Sequence, residues 1–383
     1  MSAPCEELQG KYNKAYIYAE NLEDEARKQI YAFLNHDAFS GGRIAIMPDV
    51  HAGKGAVIGF TAPLGDKVIP NVIGVDIGCG VRTWKLGEEK PDFDALERFI
   101  RREIPSGAGV RGSADTKTIG RCPIGGEETF ERFSKRLEKI CKRQEQDFGR
   151  VLCSIGSLGG GNHFIEVDRD SKGAFWLTIH SGSRNFGLRV AEYHQKHARK
   201  VCGSMGGLEY LTGTDRDAYL DDMRTAQVYA SLNRAVMGSS IIRGVFGRDA
   251  GNCPSIESVH NFISADNVIR KGAISAHKDE RVVVPFNMRD GIVIGRGKGN
   301  KAWNQSAPHG AGRTMSRSRA KSELKLDEFR KTMDGIYTTC VGRNTIDESP
   351  MAYKDAARII DLLEDTVDVE DRLKPVYNFK ASE

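Results

Sequence analysis

Glycine cuts this chain into short pieces, and that limits what it can fold into. It supplies 42 of 383 residues, about 11% against a usual ~7%. Between the glycines lie apolar runs too short for globular helices: Arg43–Met47, Gly55–Ala62, Val68–Ile73 and Val81–Leu86, then Phe164–Val167, Phe175–Ile179, Ala273–Ser275, Val282–Val284 and Ile292–Ile294. Such runs are expected as buried strands joined by tight turns. Helical spacing appears over Leu22–Leu34, through Phe130, Phe133, Leu137, Ile140 and Cys141, over 188–201 and 216–238, and at Leu324–Met333 and Tyr353–Leu363. No repeat or proline-rich linker divides the chain. The expectation is α+β: mixed sheets in one domain over 1–383, with a helical, charge-rich insertion at about 90–150.

A composition of 39% hydrophobic and 28% charged residues excludes a disordered chain. No stretch approaches the roughly 18–20 apolar residues of a membrane span. The start, Met1-Ser-Ala-Pro-Cys5, has none of the features of a signal peptide. Eight scattered cysteines without a C-x-x-C pair are expected as free thiols in the cytoplasm. The net charge of +4 is uninformative as a total, but its distribution is not. From Arg296 to Lys321 there are seven Lys/Arg and no Asp or Glu. A solvated loop could carry them; a polyanion suits them better.

Reactive side chains sit at glycine junctions: Met47-Pro-Asp49-Val-His51-Ala-Gly-Lys54, Asp76-Ile-Gly-Cys79-Gly80, Gly159-Gly-Gly-Asn162-His163-Phe164-Ile165-Glu166, His180-Ser-Gly-Ser-Arg184, His260-Asn261 and Pro308-His309-Gly310-Ala311-Gly312-Arg313. A lone histidine is usually structural, and His36, His194, His197 and His277 are expected to be so, with His194 and His197 on a solvated helix face. Asp76, Cys79, His163, His180 and His260 form an O/S/N set suited to two divalent ions, zinc by default, with manganese or iron open. His309, between glycines and Arg313, is a candidate nucleophile towards phosphorus.

Together these motifs resemble the RtcB family of GTP-dependent RNA ligases, from about residue 8 to Lys380. The resemblance implies that family's own α+β fold, with mixed sheets around a deep cleft holding two Mn2+ ions. It implies that Asp76 and His163 bind one ion, that His180 and His260 bind the other, and that Cys79 bridges them. His309 would carry GMP as a phosphoramidate. Asn162, His163, Phe164, Ile165 and Glu166 would line the nucleotide, with Phe164 near the base and Glu166 hydrogen-bonded to it. His260, Asn261, Pro285, Phe286, Asn287, Met288, Gly310, Ala311 and Gly312 would complete the pocket, and Lys380 would contact guanine. Arg184, Arg313, Asp49 and His51 would face RNA.

The implied reaction joins an RNA 3′-phosphate, or a 2′,3′-cyclic phosphate opened first by hydrolysis, to a 5′-hydroxyl. It would serve RNA repair or tRNA splicing in a divergent bacterial-type member, with an archease-type activator neither required nor excluded. Competing readings are a metal-dependent RNA-end phosphatase or cyclic phosphodiesterase, which needs neither His309 nor Lys380, and a non-catalytic RNA-binding protein, which needs no Cys79. One stretch departs from the family's Pro-Gly-Ser-Met-Gly and following serine: Pro285-Phe286-Asn287-Met288-Arg289-Asp290-Gly291-Ile292. There Ile292 lacks a hydroxyl, and Asn287 is expected to compensate at the nucleotide.

Overall fold

The computed structural model describes residues 3–53, 55–125 and 128–381, and Lys54 lies outside them. Most of the glycine-bounded runs form strands, gathered into two large sheets and a two-stranded ribbon. The first sheet has the order β1-β2-β3-β4-β10-β9. These strands are Glu6–Gln9 (β1), Lys14–Ile17 (β2), Ile44–His51 (β3), Ile58–Pro63 (β4), Val268–Lys271 (β10) and Asn261–Ile263 (β9). The second has the order β12-β13-β15-β6-β7-β5-β8. It comprises Arg281–Pro285 (β12), Ile292–Gly297 (β13), Val367–Lys380 (β15), Phe164–Arg169 (β6), Phe175–Ser181 (β7), Gly80–Gly87 (β5) and Ser255–Val259 (β8). The ribbon pairs Ala273–Ser275 (β11) with Ser306–Pro308 (β14). The β2–β3 pair is parallel. The other pairings between named strands are antiparallel, as short connections permit.

The helix Gly213–Phe246 joins the two cores. Its Tyr219, Met223, Ala226 and Tyr229 pack with Phe133, Leu137 and Phe186. Further along, Met237, Ile241 and Ile242 pack on Trp84, Ile165 and Leu177 of the second sheet. At Gly238 a Cβ would lie 2.4 Å from Trp84, so only glycine lets the indole reach the helix. A helix buried along this much of its circumference has no single apolar stripe.

Two expectations need correction. Val68–Ile73 was expected as a strand, but Pro70–Ile73 is a helical turn, because Pro70 fixes φ and has no N–H for a sheet ladder. His194 was expected on a solvated face and is instead buried, its Nε2 2.7 Å from Asp222 Oδ2 where helix Arg184–Cys202 meets Gly213–Phe246. The charge-rich stretch 90–150 is helical as expected, and besides Phe130–Arg143 it holds Phe93–Glu103, capped by Asp92.

Candidate active site

Backbone geometry assembles the cluster that the sequence scatters. Asp76 and Cys79 stand on the turn entering β5, where Gly78 has φ +71° and a Cβ would lie 2.8 Å from Gln227 Cα. Gly78 N–H donates to Asn261 O at 2.8 Å, and His260 N–H to Cys79 O at 2.9 Å, which stitches this turn to the junction of β8 and β9. His163 precedes β6, and His180 ends β7 opposite Phe164. Beneath them the buried Arg234 guanidinium donates to Gly78 O (2.9 Å), Ser181 O (2.6 Å) and Glu257 (2.7 Å). One side chain thus anchors the segments carrying Cys79 and His180.

His163 Nδ1 lies 2.9 Å from Leu158 O, and His180 Nδ1 3.1 Å from Asn162 O. Each Nδ1 therefore carries the proton, and each Nε2 lone pair faces inward. Cys79 Sγ is 3.5 Å from His163 Nε2 and 3.3 Å from His180 Nε2. His180 and His260 Nε2 are 3.4 Å apart, and Asp76 Oδ2 is 3.2 Å from His163 Nε2. Burial holds His180 and His260 well below the ordinary imidazole range, so both are neutral at neutral pH. Burial acts to raise the Asp76 carboxyl, but His163, Cys79 and His180 together outweigh it and hold it down to about 2. Burial, with Asp76 alongside, pushes the Cys79 thiol well up, so a cation must displace its proton to bind. Inward-facing thiol, imidazole and carboxylate groups fit a divalent cation that displaces the thiol proton, and Cys79, His163 and His180 offer atoms all within 4.8 Å of one another.

His309 follows β14 and enters the same cleft, its ring centroid 4.8 Å from that of His260. Its Nδ1 is 2.6 Å from Oδ2 of the fully buried Asp49, which also accepts from His309 N–H at 3.1 Å. Lys354 holds the Asp49 strand by donating to Pro48 O and Val50 O. At Gly312, φ +72°, a Cβ would lie 2.2 Å from Asp49 O, so the His309 loop can sit this close only with glycine there. His51, whose Nδ1 lies 3.0 Å from Asp49 O, is drawn down to about 4 by burial and stays neutral.

The cleft of about 760 Å³ is lined by Asp76, Cys79, His180, His260 and His309, and by Asn162, Phe164, Glu166, Asn261, Pro285, Phe286, Asn287, Met288, Gly310, Ala311, Gly312, Arg313, His51 and Lys380. Period-two alternation on β6 explains one departure from expectation: Phe164 and Glu166 face the cleft, while Ile165 turns into the opposite core with Val167 and Leu177. Asp49, expected at RNA, is fully buried and holds His309 instead. Arg184 is not among the residues lining the cleft, and its guanidinium donates to Ser157 Oγ (3.0 Å) and Gly107 O (2.7 Å).

The unusual loop also differs from expectation. Ile292 sits fully buried in an apolar cluster with Trp176 and Leu373, away from the cleft. Asn287 is occupied by its own turn, donating to Asp290 (2.7 Å) and accepting from Arg289 N–H and Asp290 N–H. The sequence reading missed Glu348. Buried in the cleft wall, it meets Lys380 (2.7 Å), Tyr353 OH (2.7 Å), Arg317 (2.5 Å) and Arg313 (3.3 Å). The available signal was that Asp347-Glu348 is an acidic pair downstream of the acid-free basic stretch, with cations available to pair with it.

Inward-facing thiol, imidazole and carboxylate groups next to a carboxylate-held histidine and a wall rich in cations make a candidate metal site of the kind that suits phosphoryl transfer. The family model described as tRNA-splicing ligase RtcB matches residues 34–381. The RNA-splicing ligase RtcB of Escherichia coli K12 is 32% identical, over 94% of this chain and 95% of its own length. The tRNA-splicing ligase RtcB of Aeropyrum pernix is 29% identical, over 90% of each chain. The chain belongs to the RtcB family of RNA-splicing ligases. No helix among the described residues is long and apolar enough to cross a membrane.

Proposed function

We propose that this ligase joins RNA 3′-phosphate or 2′,3′-cyclic phosphate ends to 5′-hydroxyl ends, using GTP and a guanylated His309. The observation that carries the reading is the Asp49–His309 pair opening onto the ligand cluster. Asp49 accepts a hydrogen bond from Nδ1–H, so Nε2 keeps its lone pair and serves as the nucleophile towards the α-phosphorus of GTP. Attack forms the N–P bond, breaks the bond to the β-phosphate oxygen and releases pyrophosphate. The RNA 3′-phosphate then takes GMP from His309, and the 5′-hydroxyl displaces GMP to close the phosphodiester.

Asp76, Cys79, His163, His180 and His260 would hold two Mn2+ ions, with Cys79 between them. When bound, these ions supply Lewis-acid stabilisation of charge on phosphoryl oxygens. Phe164 would lie against the base, Glu166 would accept from its edge and Lys380 would contact it from β15. Arg313 and Arg184 would meet RNA phosphates. The eight cysteines are unpaired, which supports a cytoplasmic setting.

Incubation with α-labelled GTP and Mn2+, followed by a denaturing gel, tests the reading. Acid-labile label on the parent, lost in His309→Ala with metal content unchanged, is the expected result. A His309→Ala protein that still ligates would overturn it. An RNA-end phosphatase or an RNA-binding protein would take no label.

A further inference from the structure

Behind the cleft, β6 carries a second carboxylate that the ligation scheme does not use. Asp168 is two residues beyond Glu166 on the same strand face, and the two are 0% and 2% exposed. Asn378 on β15 donates to Glu166 Oε2 at 2.5 Å, and Thr178 on β7 donates to Asp168 Oδ2 at 3.2 Å. Asp168 Oδ1, fully out of water, has no donor. The charged groups facing the pair are all engaged: Lys380 on β15 is tied to Glu348, and Lys85 of β5, in the row of Asp168 beyond Trp176, is tied to Asp170. The remaining neighbours, Trp176 of β7 and Thr83 of β5, carry no charge. Two adjacent buried carboxyls without a cation of their own cannot both be ionised; one proton between them also satisfies the orphaned oxygen.

We propose that Asp168 is a specificity-determining positioning residue: it shares a proton with Glu166, and where that proton rests decides which base edge Glu166 can read. The inference rests on the reading that Glu166 meets the base. With the proton on Asp168, Glu166 presents only acceptors, matching the N1–H and N2–H donors of guanine. With the proton on Glu166, it presents a donor beside an acceptor, which matches adenine and mismatches guanine. Guanine draws the proton onto Asp168, because donors facing a carboxyl favour its ionised form. A second proton on the pair blocks this transfer, and guanine then binds only if a proton is expelled. Burial pushes both carboxyls up, Asp168 to about 7, which puts the second protonation within reach of ordinary buffers.

The test is the ratio of GTP to ATP affinity as pH falls, in which titration of the phosphates cancels. In the parent the ratio is expected to fall about tenfold between about pH 8 and about pH 6, as one linked proton requires. In Asp168→Asn, whose amide donates permanently to Glu166, it should change less than about twofold. Glu166→Gln should discriminate poorly at both pH values. If Glu166→Gln keeps the parental ratio, the base contact itself is wrong. If Glu166→Gln loses it while Asp168→Asn keeps the parent's pH profile, the proton-sharing pair is wrong.

Calorimetry of the unmodified protein in buffers of different ionisation heat avoids any folding defect of the variants. Proton release on binding GTP should exceed that on binding ATP by about one at about pH 6, and by none at about pH 8. Equal release for both nucleotides at both pH values would overturn the proposal.

Discussion

His309 Nδ1 lies 2.6 Å from Asp49 Oδ2, and the same oxygen accepts the His309 backbone N–H at 3.1 Å. One buried carboxylate thus fixes both the tautomer of the imidazole and the loop carrying it. Asp49→Asn would preserve shape but offer an N–H or a poorer acceptor, so Nε2 would more often carry the proton and lose its nucleophilic pair. Loss of tautomer control in a comparable pair elsewhere costs about 10⁴ in rate, and here a fall in guanylation of at least ~10² is expected. Single-turnover labelling with GTP measures it, with metal analysis as the control, because Asp49 is outside the ligand cluster. Guanylation at the parental rate would show that Asp49 does not set the tautomer.

Cys79 approaches both His163 and His180 through one sulfur. Cys79→Ser exchanges a soft donor for a harder, shorter one and should lower metal occupancy at both positions, by tenfold or more in affinity at about 1.4 kcal/mol per decade. Cys122→Ser and Cys141→Ser lie in the apolar core around Phe133 and Leu137 and should leave metal content unchanged. Metal analysis of the purified variants after dialysis against Mn2+ checks this. Full occupancy in Cys79→Ser would remove the thiol from the site.

How far residues announced themselves follows from how local their signal is. Cys79 between two glycines and the histidines at strand ends were legible, because tight turns leave a chemical trace in the sequence. The convergence of Asp76 and His260 was legible only through the family's motifs, since no local rule links positions so far apart. β15 escaped the strand reading because Asp368, Glu370 and Asp371 interrupt its alternation, although its last residues Asn378, Phe379 and Lys380 are buried. The gap in the motif places Ile292 at a cleft loop, whereas strand register puts it opposite Leu373 in the sheet. Glu348 left only a faint trace, an acidic pair beyond the acid-free basic stretch, because a carboxylate is recognised as buried only once the chain has brought Lys380, Arg313 and Arg317 around it.

That cluster makes the clearest prediction for stability. Lys380, Arg317 and Arg313 lower the Glu348 carboxyl from an ordinary 4.5 to about 2, against the opposing effect of burial. A group whose folded-state pKa is depressed stabilises the fold above its unfolded pKa, and the contribution is lost as pH falls through the folded value. The gap corresponds to on the order of 3 kcal/mol, present at pH 7 and fading between about pH 4.5 and about pH 2. Glu348→Gln keeps the volume and an acceptor for Tyr353 but leaves Lys380 and Arg313 without a carboxylate, while Arg317 keeps Asp347 at 2.7 Å. It should therefore unfold at lower urea concentration than the parent at pH 7, and the difference should narrow as pH is lowered towards 3. Urea midpoints of the two proteins across that range decide the matter. A difference that stays constant with pH would mean that packing, and not charge, is what Glu348 contributes.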